Sequence, residues 1–271
     1  MSVTRKGHRT FLKWHRGRRR GSDPVFTGAR ILEGMALGAS VEVDLVVTGD
    51  GGFAVLHDLA LDRETTGQGP VAATADAVIR NLHLRGNDGA PLPDRVMLLG
   101  DLCALLAANP LPPDALLQLD YKQDDTVLDA AAVAGFAAAT RAVARNLIVS
   151  SGDAAAVRRL TAAAPGLRSG FDPSDAFPAA HAAGSLQRFV NDALAAAPEA
   201  EMIYLHWQIV TTAADAGFDV IDAFHRHGKR IDCWTIQTVD SASVAVVERL
   251  LALRADQITT DDPEGLAAAL G

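Results

Sequence analysis

The chain of 271 residues sets 25 basic against 33 acidic side chains, a formal net charge of -8 that excludes bulk attraction to nucleic acid or to an anionic membrane. It is 49% hydrophobic but only 5% aromatic, which excludes disorder and suits a core of Ala, Val, Leu and Ile with helices packed on buried parallel strands. The two cysteines, Cys103 and Cys233, lack a metal-binding spacing and read as buried thiols, so neither a disulfide framework nor a zinc site is expected.

The chain begins with a basic stretch. From Arg5 to Arg20 run Lys6, Arg9, Lys13, Arg16, Arg18 and Arg19 with no acid among them, and most of these read as a solvated segment, with Arg16 set apart for the reasons below. No apolar run of leader or membrane-spanning length follows, so the expectation is a cytoplasmic protein without stable membrane association. Short β-rich runs then alternate with Ala-rich ones. Strands are predicted at 11–15, 41–46, 116–121, 147–151, 167–171, 202–206, 230–235 and 257–260, with helices such as 27–37, 127–143, 153–164, 213–227 and 241–253 between them. Eight such units are expected to close into a (β/α)8 barrel, one catalytic domain over residues 1–271 with no sheet edge left to protect.

One segment breaks the alternation. Thr48, Gly49, Asp50, Gly51 and Gly52 are too few to hold a parallel crossover, so the second strand and the run from Phe53 to Asp58 should form a hairpin centred near Asp50. That register sets Val43 opposite His57 and brings His57 beside Glu42 and Asp44. Residues 62 to about 95 are polar and turn-rich, and read as a loop-rich excursion within the same domain.

Ionisable residues collect at the C-terminal ends of these predicted strands, where (β/α)8 enzymes carry their chemistry. The first ends in His15, Arg16 and Gly17; the second carries Glu42 and Asp44; the hairpin returns His57; the third supplies Asp120 and Lys122. Side chains two apart on a strand share a face, so Glu42 and Asp44 point together, as do Asp120 and Lys122. Carboxylates crowded on one inward face repel unless a cation lies between them, and oxygen ligands select a hard one, so one Mg2+ or Ca2+ is expected on Glu42, Asp44 and Asp120. An isolated Glu-x-Asp is more often a solvated strand face, but Val41, Val43, Leu45 and Val46 oppose that here. With Arg16 and Lys122 the site is positive and suits a phosphate or phosphodiester. A lone histidine is more often a packing residue. Two beside a metal cluster match the two proton transfers of diester hydrolysis, which makes His15 and His57 the candidate acid and base.

The ordered set HRG at 15–17, EVD at 42–44, TGDGGFAVLHD at 48–58, LDRETTG at 61–67, LQLDYK at 117–122, CWTI at 233–236 and ITTDDP at 258–263 closely resembles the glycerophosphodiester phosphodiesterase family over nearly the whole chain. The resemblance implies a (β/α)8 barrel and a divalent metal on Glu42, Asp44 and the third-strand acid. It implies acid and base work by His15 and His57, with His15 as base and His57 as acid, an assignment that can be inverted. It also implies phosphate contacts from Arg16 and Lys122, and Trp234 in the substrate pocket. Two departures stand out. Pro24, Val25, Phe26 and Thr27 replace the family's P-E-N-T, and Asp120 replaces its usual Glu. Asp120 followed by Lys122 also resembles the related sphingomyelinase D type phospholipases.

Among lesser candidates, His206 and Trp207 end a predicted strand and are placed at the pocket or in a closing barrel layer. Asp261 and Asp262 read as an N-cap and helix start before Pro263, and His225 and His227 as a solvated helix end. The reading is hydrolysis of a phosphodiester of glycerol or another small polyol or sugar. Its alternatives are a non-catalytic phosphodiester-binding barrel and a phospholipase D-like enzyme acting on lipid headgroups. The partner expected is the small-molecule diester itself, with homo-oligomerisation left open.

Overall fold

A computed structural model describes residues 1–271. The N-terminal segment is strand-paired, with Lys6, Arg9 and Arg20 exposed: β1 (Ser2–Arg5) runs antiparallel to β2 (His8–Trp14) through a two-residue turn in which Lys6 and Gly7 take φ of 48° and 82°. Positive φ at both central positions matches the twist of paired strands. There follow α1 (Gly28–Ala36), β3 (Ser40–Val47), β4 (Phe53–Ala54), α2 (Asp76–Ile79), β5 (His83–Arg85), β6 (Pro91–Arg95), α3 (Leu99–Ala107) and β7 (Leu116–Tyr121). The second half runs α4 (Ala130–Thr140), β8 (Leu147–Ser150), α5 (Ala154–Ala163), β9 (Arg168–Phe171), α6 (Phe177–Ala182), α7 (Leu186–Ala196) and β10 (Met202–His206). It ends with α8 (Trp207–Asp215), α9 (Val220–His225), β11 (Arg230–Ile236), α10 (Ser241–Ala252), β12 (Gln257–Thr260) and α11 (Pro263–Leu270).

Eight of these strands close a parallel ring in the order β2-β12-β11-β10-β9-β8-β7-β3, with β3 returning to β2. This is the (β/α)8 barrel. All eight predicted strands are present, though the first stops at Trp14 and leaves His15 in the turn beyond it. The seam between β2 and β3 is a single pair, Trp14 opposite Val41, because β1 already occupies the edge of β2 from His8 to Phe11.

Period-two alternation sorts the barrel strands. Val41, Val43 and Leu45 of β3 are buried outward under the helices, while Glu42 and Asp44 face the lumen. Inside, Leu116, Ile148 and Met202 form an apolar layer with Tyr204. Above it lie polar side chains, Lys13, Gln118, Ser150, Asp232 and Thr259, all buried. Lys13 is 1% exposed and pairs with Asp232 at 2.8 Å, which corrects its reading as a solvated residue.

Aspartate caps start several helices: Asp129, Asp153, Asp219, Asp240 and Asp262 each accept from a first-turn backbone N–H. The helix expected over 213–227 is two, broken where Gly217 takes φ 78° and Asp219 caps α9. The one expected over 127–143 contracts to α4. The hairpin keeps its expected centre, with Val46 opposite Ala54 and Val47 opposite Phe53, but pairs no further because the Val55 N–H donates to Met97. Residues beyond it carry α2 and the two-stranded sheet of β5 and β6 beside the barrel mouth. No helix is long and apolar enough to cross a membrane.

Candidate active site

At the C-terminal end of the barrel His15, Arg16, Glu42, His57, Gln118, Asp120, Lys122, Asp172, Tyr204, His206, Trp207 and Trp234 surround one cavity of about 460 Å³. Of the residues assigned from the sequence to catalysis, metal, phosphate or substrate pocket, only Asp44 does not line it; that side chain is fully buried just behind.

The turn after β2 aims the first group. Arg16 has φ 53° and Gly17 φ 73°, so the chain doubles back at the mouth. A Cβ on Gly17 would stand 2.8 Å from Ile31 Cγ1, so glycine is required there on two counts. The Arg16 N–H donates to Glu42 Oε2 at 2.8 Å and its guanidinium pairs with Asp44 at 3.0 Å. Phe26 fills the place of the family's amide: its N–H donates to the Arg16 carbonyl at 2.9 Å, and its buried ring lies 5.8 Å from the Arg16 guanidinium. An aromatic shelf thus supports Arg16 where polar side chains were expected.

The second group is acidic. Parallel register sets Glu42 beside Gln118 and Asp44 beside Asp120, and carboxylate oxygens of Glu42, Asp44 and Asp120 all lie within 4.8 Å of one another. Lys122, just past β7, folds back so that its ammonium meets Asp44 at 2.7 Å and Asp120 at 2.5 Å. Burial pushes the Glu42 carboxyl well above the usual carboxylate range, and the Asp44 charge beside it adds to this. Burial alone would raise Asp44 too, but Lys122 and Arg16 hold it below that range. For Lys122 the neighbouring carboxylates outweigh burial and keep the ammonium charged.

This cluster fits a hard divalent cation. Both Asp44 oxygens are buried without a hydrogen-bond donor in bonding geometry, three carboxylates converge, and the Lys122 ammonium already sits where positive charge is favoured. A second group, His57 with Asp58 and Glu64, is equally close-set but is otherwise engaged. Glu64 Oε2 accepts the N–H groups of His57 and Asp58 at 2.9 and 3.0 Å, and Asp58 is held by Arg63 at 2.5 Å. That grip keeps the Asp58 carboxyl down at about 2, through Arg63 first and His57 second. It is a clamp on the turn that carries His57.

Each imidazole is backed by a carboxylate at Nδ1. His57 Nδ1 lies 2.9 Å from Asp58 Oδ1 and His15 Nδ1 lies 2.5 Å from Asp261 Oδ1; both residues line the cavity, and His15 Nε2 is 3.9 Å from Glu42. Burial lowers the His15 pKa against the pull of Asp261. Asp261 also accepts from Arg18 at 2.5 Å, so only Asp262 is the helix cap, and the reading of Asp261 as half of a capping pair is corrected. Asp172, just past β9, borders the cavity as well, and burial pushes its carboxyl up to about 7. Its place at a strand end was the available signal. On the far wall the Trp234 ring packs edge-on against His206, centroids 4.9 Å apart, with the His206 pKa lowered by burial. His225, taken for a solvated residue, pairs with Asp256 at 2.8 Å.

The sequence profile of the Glycerophosphoryl diester phosphodiesterase family matches residues 14–265, which includes every residue of this site. The chain belongs to that family. This phosphodiesterase is therefore a phosphoric diester hydrolase, and the hydrolysis of glycerophosphodiesters is its family's activity. Solved structures share the fold. A glycerophosphodiester phosphodiesterase from Agrobacterium tumefaciens is 23% identical, with TM-score 0.67 over 96% of this chain and 99% of its own. One from Thermotoga maritima is 19% identical, with TM-score 0.65 over 97% and 99%. A phosphodiesterase from Oleispira antarctica, in complex with the product sn-glycerol-3-phosphate, is 19% identical, with TM-score 0.66 over 96% of each chain. No curated protein matches the sequence.

Proposed function

We propose that this phosphodiesterase cleaves a diester of glycerol, or of another small polyol or sugar, to an alcohol and a phosphomonoester, with His15 and His57 as its two proton carriers. The observation that carries the reading is the pair of aspartate-backed imidazoles facing one cavity that also holds carboxylates and two cations. A carboxylate at Nδ1 fixes the tautomer and steadies the imidazolium, so proton exchange falls to Nε2 on both rings. One takes the proton from the attacking oxygen and the other gives one to the departing alcohol, with His15 the base and His57 the acid. Arg16 and Lys122 contact the phosphate oxygens, and Trp234 and His206 flank the alcohol. Glu42, Asp44 and Asp120 would hold one Mg2+ or Ca2+, which when bound offsets negative charge on the phosphoryl oxygens. The Oleispira complex with sn-glycerol-3-phosphate supports a glycerol-containing substrate.

A coupled phosphate-release assay on glycerophosphodiesters and sugar phosphodiesters tests this. Turnover should be lost on chelation, return with added Mg2+ or Ca2+, and fall by about 10³-fold or more in Asp44→Ala, ~4 kcal/mol of barrier. Activity that survives both treatments excludes the metal mechanism. The non-catalytic alternative is disfavoured by two imidazoles each oriented for proton transfer. For the lipid-headgroup alternative, the exposed apolar side chains beside the site are Leu59 and Val127, bordering an adjoining recess otherwise rich in aspartate. That is far less than a membrane-docking face.

A further inference from the structure

Asp120 is approached from inside the barrel by a line of buried polar side chains. Lys13 on β2 hydrogen-bonds Gln118 Oε1 on β7; Gln118 Nε2 donates to Ser150 Oγ on β8 at 2.8 Å; Ser150 Oγ donates to Asp120 Oδ1 at 2.6 Å. The far end is anchored. The Lys13 ammonium pairs with Asp232 at 2.8 Å, lies 4.5 Å from the centre of the Tyr204 ring, and Thr259 Oγ1 donates to Asp232 at 2.7 Å.

The chemistry of these groups permits one direction only. An ammonium has donors and no acceptor, so it must meet the oxygen of the Gln118 amide, which turns the amide NH2 toward Ser150. A hydroxyl has a single hydrogen. With a lone pair engaged by Gln118, Ser150 gives that hydrogen to Asp120. Lys13 therefore sets the polarity of the chain from about three links away, and Asp120 Oδ1 always receives a donor. Its other oxygen, Oδ2, is the one that meets Lys122.

We propose that Ser150 and Gln118 are positioning residues for Asp120, holding Oδ1 so that the carboxylate plane is fixed and Oδ2 is presented to a divalent cation. An aspartate has one torsion fewer than the glutamate usual at this place in the family, so a single hydrogen bond to Oδ1 is enough to fix the carboxylate plane. The proposal rests on the reading of Asp120 as a metal ligand.

The test is binding of Mn2+ alone to full-length, metal-free protein, followed by the loss of the free-ion paramagnetic resonance signal. Ser150→Ala should weaken Mn2+ binding about tenfold or more, the usual scale for losing a hydrogen bond to a metal ligand. Ser150→Thr, which keeps the hydroxyl, should recover most of that loss. Gln118→Met, which keeps length but removes the amide, should weaken binding in the same direction by a different route. Thermal unfolding of the metal-free variants separates a packing role, since a lowered midpoint with wild-type Mn2+ affinity overturns the proposal. Wild-type affinity in both Ser150→Ala and Gln118→Met also overturns it. Failure of the wild-type protein to bind Mn2+ overturns the metal-ligand reading along with it.

Discussion

Asp261 is the side chain whose role was most hidden. Its carboxylate fixes His15 and Arg18, 246 and 243 positions away in the chain, while its local setting beside Asp262 and Pro263 imitates a helix start. In Asp261→Asn the amide can offer a hydrogen to His15 Nδ1 and so favour the wrong tautomer. kcat for a glycerophosphodiester should fall by about 10²-fold or more with little change in KM. Steady-state kinetics on that variant decide it, and a kcat within a few-fold of wild type would sink the assignment. Lys13 was hidden for a related reason. A run of basic residues looks uniformly solvated, yet the strand alternation inside it turns this one lysine into the lumen, where Asp232, contributed 219 positions later, and the Gln118 amide oxygen make its burial tolerable. By contrast Glu42, Asp44, Asp120 and both site histidines were legible, because period-two spacing within a strand and placement at strand ends need no knowledge of distant partners.

Among the elements, the hairpin of β3 and β4 shows how much register can be read from a turn. Its centre at Asp50 follows from five turn residues, but its length does not, because the competing hydrogen bond from Val55 goes to Met97 in the far limb of the excursion. His57 is consequently held not by strand pairing but by Glu64, whose one oxygen gathers two consecutive backbone N–H groups. Glu64→Ala should leave those part-buried donors without their carboxylate partner. The expected effects are a cost of about 1–3 kcal/mol in chemical unfolding and a larger relative loss of kcat than of substrate affinity, as His57 swings out of place. A variant with normal stability and normal kcat would show that the clamp is dispensable. The helices were read less well than the strands, and 213–227 failed because Ala-rich periodicity carries across Gly217 without a break in hydrophobic pattern.

For the molecule as a whole, the acid-lined mouth makes stability depend on pH. Asp172 in the folded protein sits at about 7, raised by burial, against an ordinary value of 3.8. The folded state therefore holds this proton more tightly than the unfolded chain does. Its stabilising contribution is complete below about pH 4 and is lost as pH climbs through 7. Asp172→Asn should raise the unfolding midpoint of metal-free protein by roughly 3–6 °C at pH 8 and leave it nearly unchanged at pH 4. Equal shifts at both values would contradict the burial argument.

The seam between β2 and β3 gives the charged cluster a second part to play. The other staves of the ring are joined by two or more pairs, up to the run of β3 against β7 from Ser40 to Leu45, but here one backbone pair is supplemented by the Arg16 N–H on Glu42 and the Arg16 guanidinium on Asp44. The side chains that would handle the phosphate are thus also the rivets of the barrel's thinnest joint. Stripping charge from them should loosen the hoop as well as the chemistry, because the Arg16–Asp44 pair spans that joint.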